Sequence, residues 1–316
     1  MAITKVEKIW MNGKWVAWDD ARIHILSHVA HYASSVFEGI RAYGQPKNGA
    51  AIFRLEEHLD RLMASAKIYR MELPFTRDQI RQVCLEVVAV NNLDDCYLRP
   101  LIYRGYENLG VNPFGAPVEV AVAAFPWGKY LGEDALTKGV AVKVSSWWRI
   151  APNTLPALAK ASANYMNSQL MKMEALVDGY AEAIALDVNG YVSEGSGQNV
   201  FAVFKGELVT PPMSSSILGG ITRDSVMTLG RELGYPVREE IIPREKLYLA
   251  DEMFFCGTAV EVSPITSVDR ITIGNGEMGP VTRAIQQQFF ALVRGEQADR
   301  HRWLTPVPQP AATRSK

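Results

Sequence analysis

A chain of 316 residues in which 33 Lys and Arg balance 34 Asp and Glu, for a formal net charge of −1 and a pI near 6.5, has room for about two domains and no basic excess with which to grip nucleic acid. Its three cysteines, Cys84, Cys96 and Cys256, are odd in number and lack any Cys-x-x-Cys spacing, so a disulfide framework is disfavoured and a reducing cytoplasm fits best. Lys5, Glu7 and Lys8 interrupt the N-terminus where a signal would need an apolar core, and no stretch approaches a membrane span, so a soluble cytoplasmic protein with a small-molecule partner, no nucleic acid and no membrane is expected.

In chain order, Asn12-Gly13 between Lys8-Ile9-Trp10-Met11 and Lys14-Trp15-Val16 predicts a tight hairpin. Leu55, Leu59, Leu62 and Ala66 recur at helical spacing, as do Ile80, Val83, Val87 and Val90. Strands are expected at 96–104, 118–125 and 140–146. The interspersed order lacks a regular βαβ alternation, which disfavours a Rossmann-like sheet. Pro126, Gly128, Gly132 and Gly139 make the text loop-like, and residues 129–139 are read as an interdomain loop between a small α/β domain (1–128) and a large cofactor-binding domain (140–304). Met166, Leu170, Met173 and Val177 mark a further helix. Asn189-Gly190 and Lys205-Gly206 each join two strands, which together read as a meander. Residues 305–316, rich in Pro and Ala, are expected to be a disordered tail.

Lys160 lies in Leu155-Pro156-Ala157-Leu158-Ala159-Lys160-Ala161-Ser162-Ala163-Asn164-Tyr165, where charge is scarce. An arbitrary lysine is a solvated surface charge; a desolvated one is a better nucleophile and base. Further on, Tyr191-Val192-Ser193-Glu194-Gly195-Ser196-Gly197 sets one carboxylate on a strand before a Gly-x-Gly turn. The pair suggests pyridoxal phosphate chemistry: the lysine can take the aldehyde as a Schiff base, and an acid beside the ring nitrogen keeps that nitrogen protonated so the ring accepts electrons. A phosphate cradle is then needed. Leu218-Gly219-Gly220-Ile221-Thr222-Arg223 offers one, a tight glycine loop with Thr222 as cap of a helix that runs to Gly234 and presents its N–H groups to an anion. Gly257-Thr258-Ala259, after the strand-like Met253-Phe254-Phe255-Cys256, offers further donors.

These segments, together with His31-Tyr32-Ala33-Ser34-Ser35-Val36-Phe37-Glu38-Gly39-Ile40-Arg41, Tyr97-Leu98-Arg99-Pro100-Leu101 and Ala124-Phe125-Pro126-Trp127-Gly128, resemble the branched-chain amino-acid aminotransferases of the fold type IV pyridoxal phosphate group, from about Trp10 to Trp303. The resemblance implies an α/β (α+β type) two-domain architecture with the cofactor between the domains, and reversible transamination of L-leucine, L-isoleucine and L-valine with 2-oxoglutarate. It makes Lys160 the catalytic residue. Arg61, Lys160, Tyr165, Glu194, Gly197, Leu218, Ile221, Thr222 and Thr258 become cofactor ligands, with Arg61 on the phosphate and Tyr165 on the ring hydroxyl. Tyr32, Phe37, Gly39, Tyr97, Arg99, Val111, Trp127, Tyr130, Thr258 and Ala259 become substrate contacts. A homodimer or a dimer-based higher oligomer follows, with Val111 reaching toward the neighbouring pocket.

Rivals share part of this text. A D-amino-acid aminotransferase or an aminodeoxychorismate lyase of the same fold would keep the lysine, glutamate and cradle, and a non-catalytic binding protein would have no need of both Lys160 and Glu194. His24, His28 and His31 mimic a metal set by spacing, but no Cys pair or His-Glu-x-x-His accompanies them, and no metal is expected. Gly274–Pro280 lacks a Gly-Lys-Ser/Thr ending and reads as a surface turn before a helix.

Overall fold

The structure, a computed structural model, describes residues 3–46, 49–128, 131–132 and 134–308. The chain divides into two units: Met1–Gly128 with Ala159–Ala163 and Ala291–Lys316, and Lys129–Leu158 with Asn164–Phe290.

The first unit opens with the expected hairpin, β1 (Lys8–Met11) and β2 (Lys14–Ala17). Asn12 (φ 47°) and Gly13 (φ 86°) are both left-handed, as a two-residue turn between right-twisted strands requires. Helix α1 (His28–Tyr32) follows, then β3 (Ser35–Phe37), β4 (Ile40–Gln45) and β5 (Gly49–Phe53). Two helices come next, α2 (Leu55–Ile68) and α3 (Arg77–Val90), the latter started by a capping box between Thr76 and Gln79. Long strands β6 (Cys96–Arg104) and β7 (Val118–Pro126) complete an antiparallel order β5-β4-β6-β7-β1-β2, with β3 also on β6. Leu55, Leu59, Leu62 and Ala66 of α2 and Ile80, Val83 and Val87 of α3 are buried, with Cys84 and Val88 added to the face; Val90, at the last position of α3, is exposed.

In the second unit, a short helix α4 (Ala135–Lys138) precedes β8 (Val140–Val144), α5 (Asn164–Val177), β9 (Glu182–Leu186) and β10 (Val192–Gly195). Strands β11 (Asn199–Phe204) and β12 (Glu207–Thr210), helix α6 (Ile221–Glu232), β13 (Val237–Glu239) and α7 (Arg244–Leu247) follow. The last elements are β14 (Glu252–Gly257), β15 (Glu261–Val268), β16 (Ile271–Thr272) and α8 (Pro280–Val293), whose end from Ala291 groups with the first unit. The sheet runs β10-β9-β8-β15-β14-β11-β12-β13, with β16 on β15; β8 is parallel to β9 and β15, and β12 to β13. Its core holds Val142, Ile184, Val200, Met253 and Phe255.

Five sequence expectations need correction. The loop expected at 129–139 contains α4, which packs on β15. The expected large domain is not one continuous stretch, because Ala159–Ala163 and the chain from Ala291 belong to the first unit. The two hairpins do not form a meander: β9 and β10 lie at one end of the sheet, β11 and β12 towards the other, with β8, β15 and β14 between. Helix α5 buries Asn164, Ser168, Met171 and Ala175, while Met166, Met173 and Val177 are exposed, so the apolar spacing marked the helix but the wrong face. Finally, β17 (Leu304–Pro306) pairs with β5 at the edge of the first sheet and Val307 is buried, so 305–308 are ordered by strand pairing; residues 309–316 lie outside the described residues.

Candidate active site

In the first unit, the backbone around Lys160 is stitched to its neighbours on both sides. Ala161 bridges Val36, the Phe37 amide donates to the Lys160 carbonyl (3.0 Å), and the Ser162 amide donates to the Ser35 carbonyl (2.9 Å). Ser35 Oγ donates to Ser162 Oγ (2.7 Å), and the Lys160 amide donates to Ser65 Oγ of α2 (3.0 Å). Ala159 and Ala161 are each 1% exposed, which small side chains permit where two backbones approach. Lys160 itself is half-buried, with Nζ 5.1 Å from the centre of the Phe37 ring. A rigid, partly desolvated amine against an aromatic face is the setting a nucleophilic lysine needs.

Next to Phe37, Glu38 is fully buried. Arg61 grips it through Nε (2.6 Å) and Nη2 (2.8 Å), and His58 Nδ1 meets it at 2.7 Å. Burial would raise the Glu38 carboxyl, but Arg61 and His58 outweigh it and hold the group well below the usual carboxylate range. For His58 burial comes first and lowers it; Glu38 opposes, and the charges of Arg61 and Lys160 lower it further. Because an ionised Glu38 only accepts, His58 Nδ1 carries a proton and donates it to that carboxylate. Sequence reasoning assigned Arg61 a role only at the cofactor phosphate; its partner Glu38, which also meets His58, is brought to the helix only by the fold.

Strand β6 carries Tyr97 and Arg99 on one face, two residues apart. The Tyr97 ring stacks on Trp127 (4.5 Å), and the Arg99 guanidinium lies 4.7 Å over Phe37 and 5.3 Å over Tyr97. Gly39 is obligatory here, since a Cβ at that position would stand 1.7 Å from Tyr97 Oη. Phe37, Gly39, Tyr97, Arg99 and Trp127 are thus brought together. Tyr32, which sits against His28 (4.5 Å), is 42% exposed and Val111 is 86% exposed, while Tyr130 lies outside the described residues. His28 is spent on Ser34 Oγ and the Gly110 carbonyl, His31 on the Ile25 carbonyl, and His24 on the Leu26 amide.

The second unit gathers the other predicted residues around Glu194. This carboxylate, on β10 and 5% exposed, meets Arg149 Nη2 at 2.7 Å through Oε1. Its Oε2 accepts from Asn199 Nδ2 (3.0 Å) and from the Leu218 amide (3.1 Å), and the same Asn199 Nδ2 donates to the Leu218 carbonyl (3.1 Å). Asn199 therefore clips the acid to the loop leading into α6. Arg149 and Asn199 are functional candidates that the sequence reading did not single out. The Asn199 clip is also why Gly220 is glycine, for its Cβ would lie 1.8 Å from Asn199 Oδ1.

Gly220 is the N-cap of α6, without a side-chain cap; Thr222, read from the sequence as the cap, instead sits inside the first turn and is buried beside Ile221. At Gly197 a Cβ would meet no atom within 4 Å. Thr258 and Ala259 form the half-buried turn after β14, and Tyr165 is a half-buried residue of the first turn of α5. Among the described residues no group of three or more His, Cys, Asp or Glu side chains is placed to hold a metal ion, and no helix is long and apolar enough to cross a membrane.

Three features fit an anionic, ring-bearing cofactor: a helix start whose N-cap glycine supplies no side-chain cap, a glycine where a side chain would fill open space, and Arg149 Nε, buried with no hydrogen-bond partner. A positioned amine in the first unit, and a buried carboxylate beside a glycine-led helix start in the second, are residue types that pyridoxal phosphate chemistry uses. Residues 35–268 match the family model described as Amino-transferase class IV. A branched-chain-amino-acid aminotransferase of Escherichia coli is 52% identical over 310 residues, which is 98% of this chain and all of that one. The crystal structure of the Escherichia coli branched-chain amino acid aminotransferase is similar with a TM-score of 0.94 at 52% identity, covering 96% of this chain and 100% of that one. A second solved structure, the T.th. branched-chain amino acid aminotransferase with pyridoxamine 5′-phosphate, gives 0.93 at 46%, covering 96% and 99%. This chain belongs to the class IV aminotransferases, and its mixed helices and sheets are the fold of that family.

Proposed function

We propose that this chain moves the amino group of L-leucine, L-isoleucine or L-valine onto 2-oxoglutarate, reversibly, with pyridoxal phosphate as the carrier. The observation that carries the substrate reading is Arg99, a fixed cation held over the faces of Phe37 and Tyr97. One pocket must take an apolar branched side chain in one half-reaction and the second carboxylate of glutamate in the other. Aromatic walls serve the first, and a guanidinium at their edge serves the second.

When bound, pyridoxal phosphate supplies an aldehyde that takes the amino group and a ring that accepts the electron pair released at Cα. Lys160 Nζ takes the proton from Cα and returns it to C4′ of the cofactor. Glu194 holds the proton at the ring nitrogen, and Tyr165 bonds the ring hydroxyl. The phosphate falls to Arg61, to the N–H groups of Ile221 and Thr222, and to Thr258, with Gly197 and Leu218 lining the cofactor. Tyr97 holds the α-carboxylate of the substrate, as do the backbone groups of Thr258 and Ala259. Phe37, Gly39 and Trp127 form the apolar walls; Arg99, Tyr32 and Tyr130 meet the distal carboxylate.

A homodimer or a dimer-based higher oligomer belongs to this reading. It is supported by exposed apolar side chains on two loops of the first unit: Ile25 (75%), Leu109 (55%), Val111 (86%) and Phe114 (69%). A cytoplasmic location is supported by three buried cysteines that are all free thiols. The test is a side-by-side assay of L-leucine, L-valine, D-alanine and aminodeoxychorismate. Turnover of the two L-amino acids with 2-oxoglutarate is expected; preference for D-alanine or for aminodeoxychorismate would move the chain to another activity of the same fold.

A further inference from the structure

Glu194 is a carboxylate with little access to water, and burial favours the neutral form of any such acid. A neutral Glu194 would be useless in the role given to it above, because a ring nitrogen keeps its proton only beside a group that stays negative. The Asn199 amide and the Leu218 N–H that donate to it carry no charge. Arg149, which also meets it, is a guanidinium and always protonated.

We propose that Arg149 fixes the negative charge on Glu194 and so keeps the shared proton on the cofactor's ring nitrogen and off the carboxylate. The inference rests on the reading of Glu194 as the ring-nitrogen partner. Arg149 is 6% exposed, and its Nη2 lies 2.7 Å from Glu194 Oε1, so the pair is desolvated on both sides and its charges are weakly screened. Its placement is built in from two directions. The Arg149 amide donates to the Leu186 carbonyl (2.8 Å) on β9, the strand that pairs with the β10 strand carrying Glu194. Asn167 of α5 donates to the Trp148 carbonyl (2.9 Å) and accepts from Arg149 Nη1 (3.4 Å). Arg149 acts through Glu194 and is a positioning residue, not a catalytic one.

Charge is separable from shape here. Arg149→Lys keeps the cation, Arg149→Gln keeps a donor but no charge, and Arg149→Met keeps neither while preserving length. Each holoenzyme would be loaded with cofactor labelled with nitrogen-15 in the ring, and the protonation of that nitrogen read from its NMR chemical shift. Protonated nitrogen is expected in the native enzyme and in Arg149→Lys, and unprotonated nitrogen in Arg149→Gln and Arg149→Met, with kcat down on the order of tenfold to a hundredfold in the neutral pair. If one neutral variant fails to fold, the other still reports. Glu194→Gln separates the two claims. A protonated nitrogen there would remove the reading of Glu194 itself. Loss of protonation in Glu194→Gln with retention in Arg149→Gln or Arg149→Met would overturn the role of Arg149, as would loss of protonation in Arg149→Lys.

Discussion

Arg99 is the residue on which dual specificity turns. A charge-assisted hydrogen bond contributes about 1.5–3 kcal/mol, so Arg99→Ala is expected to slow the half-reaction with L-glutamate by roughly ten- to a hundredfold while affecting L-leucine less. Single-turnover rates with each amino acid check this, and equal losses would make Arg99 a support for the fold or the cofactor. The cysteines make a different prediction. Burial pushes the thiols of Cys84 and Cys96 up to about 12, and that of Cys256 higher still. A thiol so far from ionising does not attack a disulfide reagent, so none of the three is expected to react in the native protein at mildly alkaline pH, and all should react after unfolding. Rapid native labelling would show that burial is broken by local opening. At this scale the sequence exposed residues that announce themselves by local context, such as Lys160 among alanines and Glu194 before a Gly-x-Gly turn. It hid residues whose meaning is their partner. Glu38, His58 and Arg149 acquire theirs only when elements distant in the chain meet, and Asn199 acquires its partners when the chain turns back after β10 and meets the loop before α6.

Helix α5 shows both the reach and the limit of periodicity. Its apolar spacing revealed a helix, yet the buried side is made of Asn164, Ser168, Met171 and Ala175, because small and polar residues pack or hydrogen-bond there, while Met166 and Met173 remain outside. Hairpins were legible because Asn-Gly and Lys-Gly turns are local. The order β10-β9-β8-β15-β14-β11 was not, since it depends on parallel pairings that no turn encodes. One side chain ties α5 to the end of β8. Glu174 accepts from Lys143 Nζ (2.9 Å), Ser145 Oγ (2.5 Å) and the Ser146 amide (3.1 Å). Burial would raise its carboxyl from 4.5, but the bonds from Ser145, Lys143 and Ser146 outweigh that and bring it down to about 2. A carboxyl lowered in the folded state stabilises fully above its ordinary value, and the contribution is lost as pH falls through about 2. Glu174→Gln is therefore expected to cost on the order of 1 kcal/mol at neutral pH, with the gap to the native protein closing in acid. Urea denaturation across a pH series measures it; a gap independent of pH would mean that the charge is not responsible.

For the whole molecule, the exposed Ile25, Leu109, Val111 and Phe114 are an apolar surface that a monomer would leave in water. A double change of Val111→Asp and Phe114→Asp is expected to shift the sedimentation coefficient towards the monomer and to lower activity with it. An active native monomer would contradict the oligomer. Family-wide motifs made the class legible from end to end, whereas the interleaving of the two units was not, because Ala159–Ala163 and the chain from Ala291 join the first unit through contacts that no local pattern records. The central claim is that Lys160 is the amine on which this chemistry runs. Borohydride reduction of the holoenzyme followed by peptide mapping tests it most directly: the pyridoxyl group is expected on Lys160 alone and on no residue in Lys160→Ala, and recovery of the label on any other lysine would contradict the account.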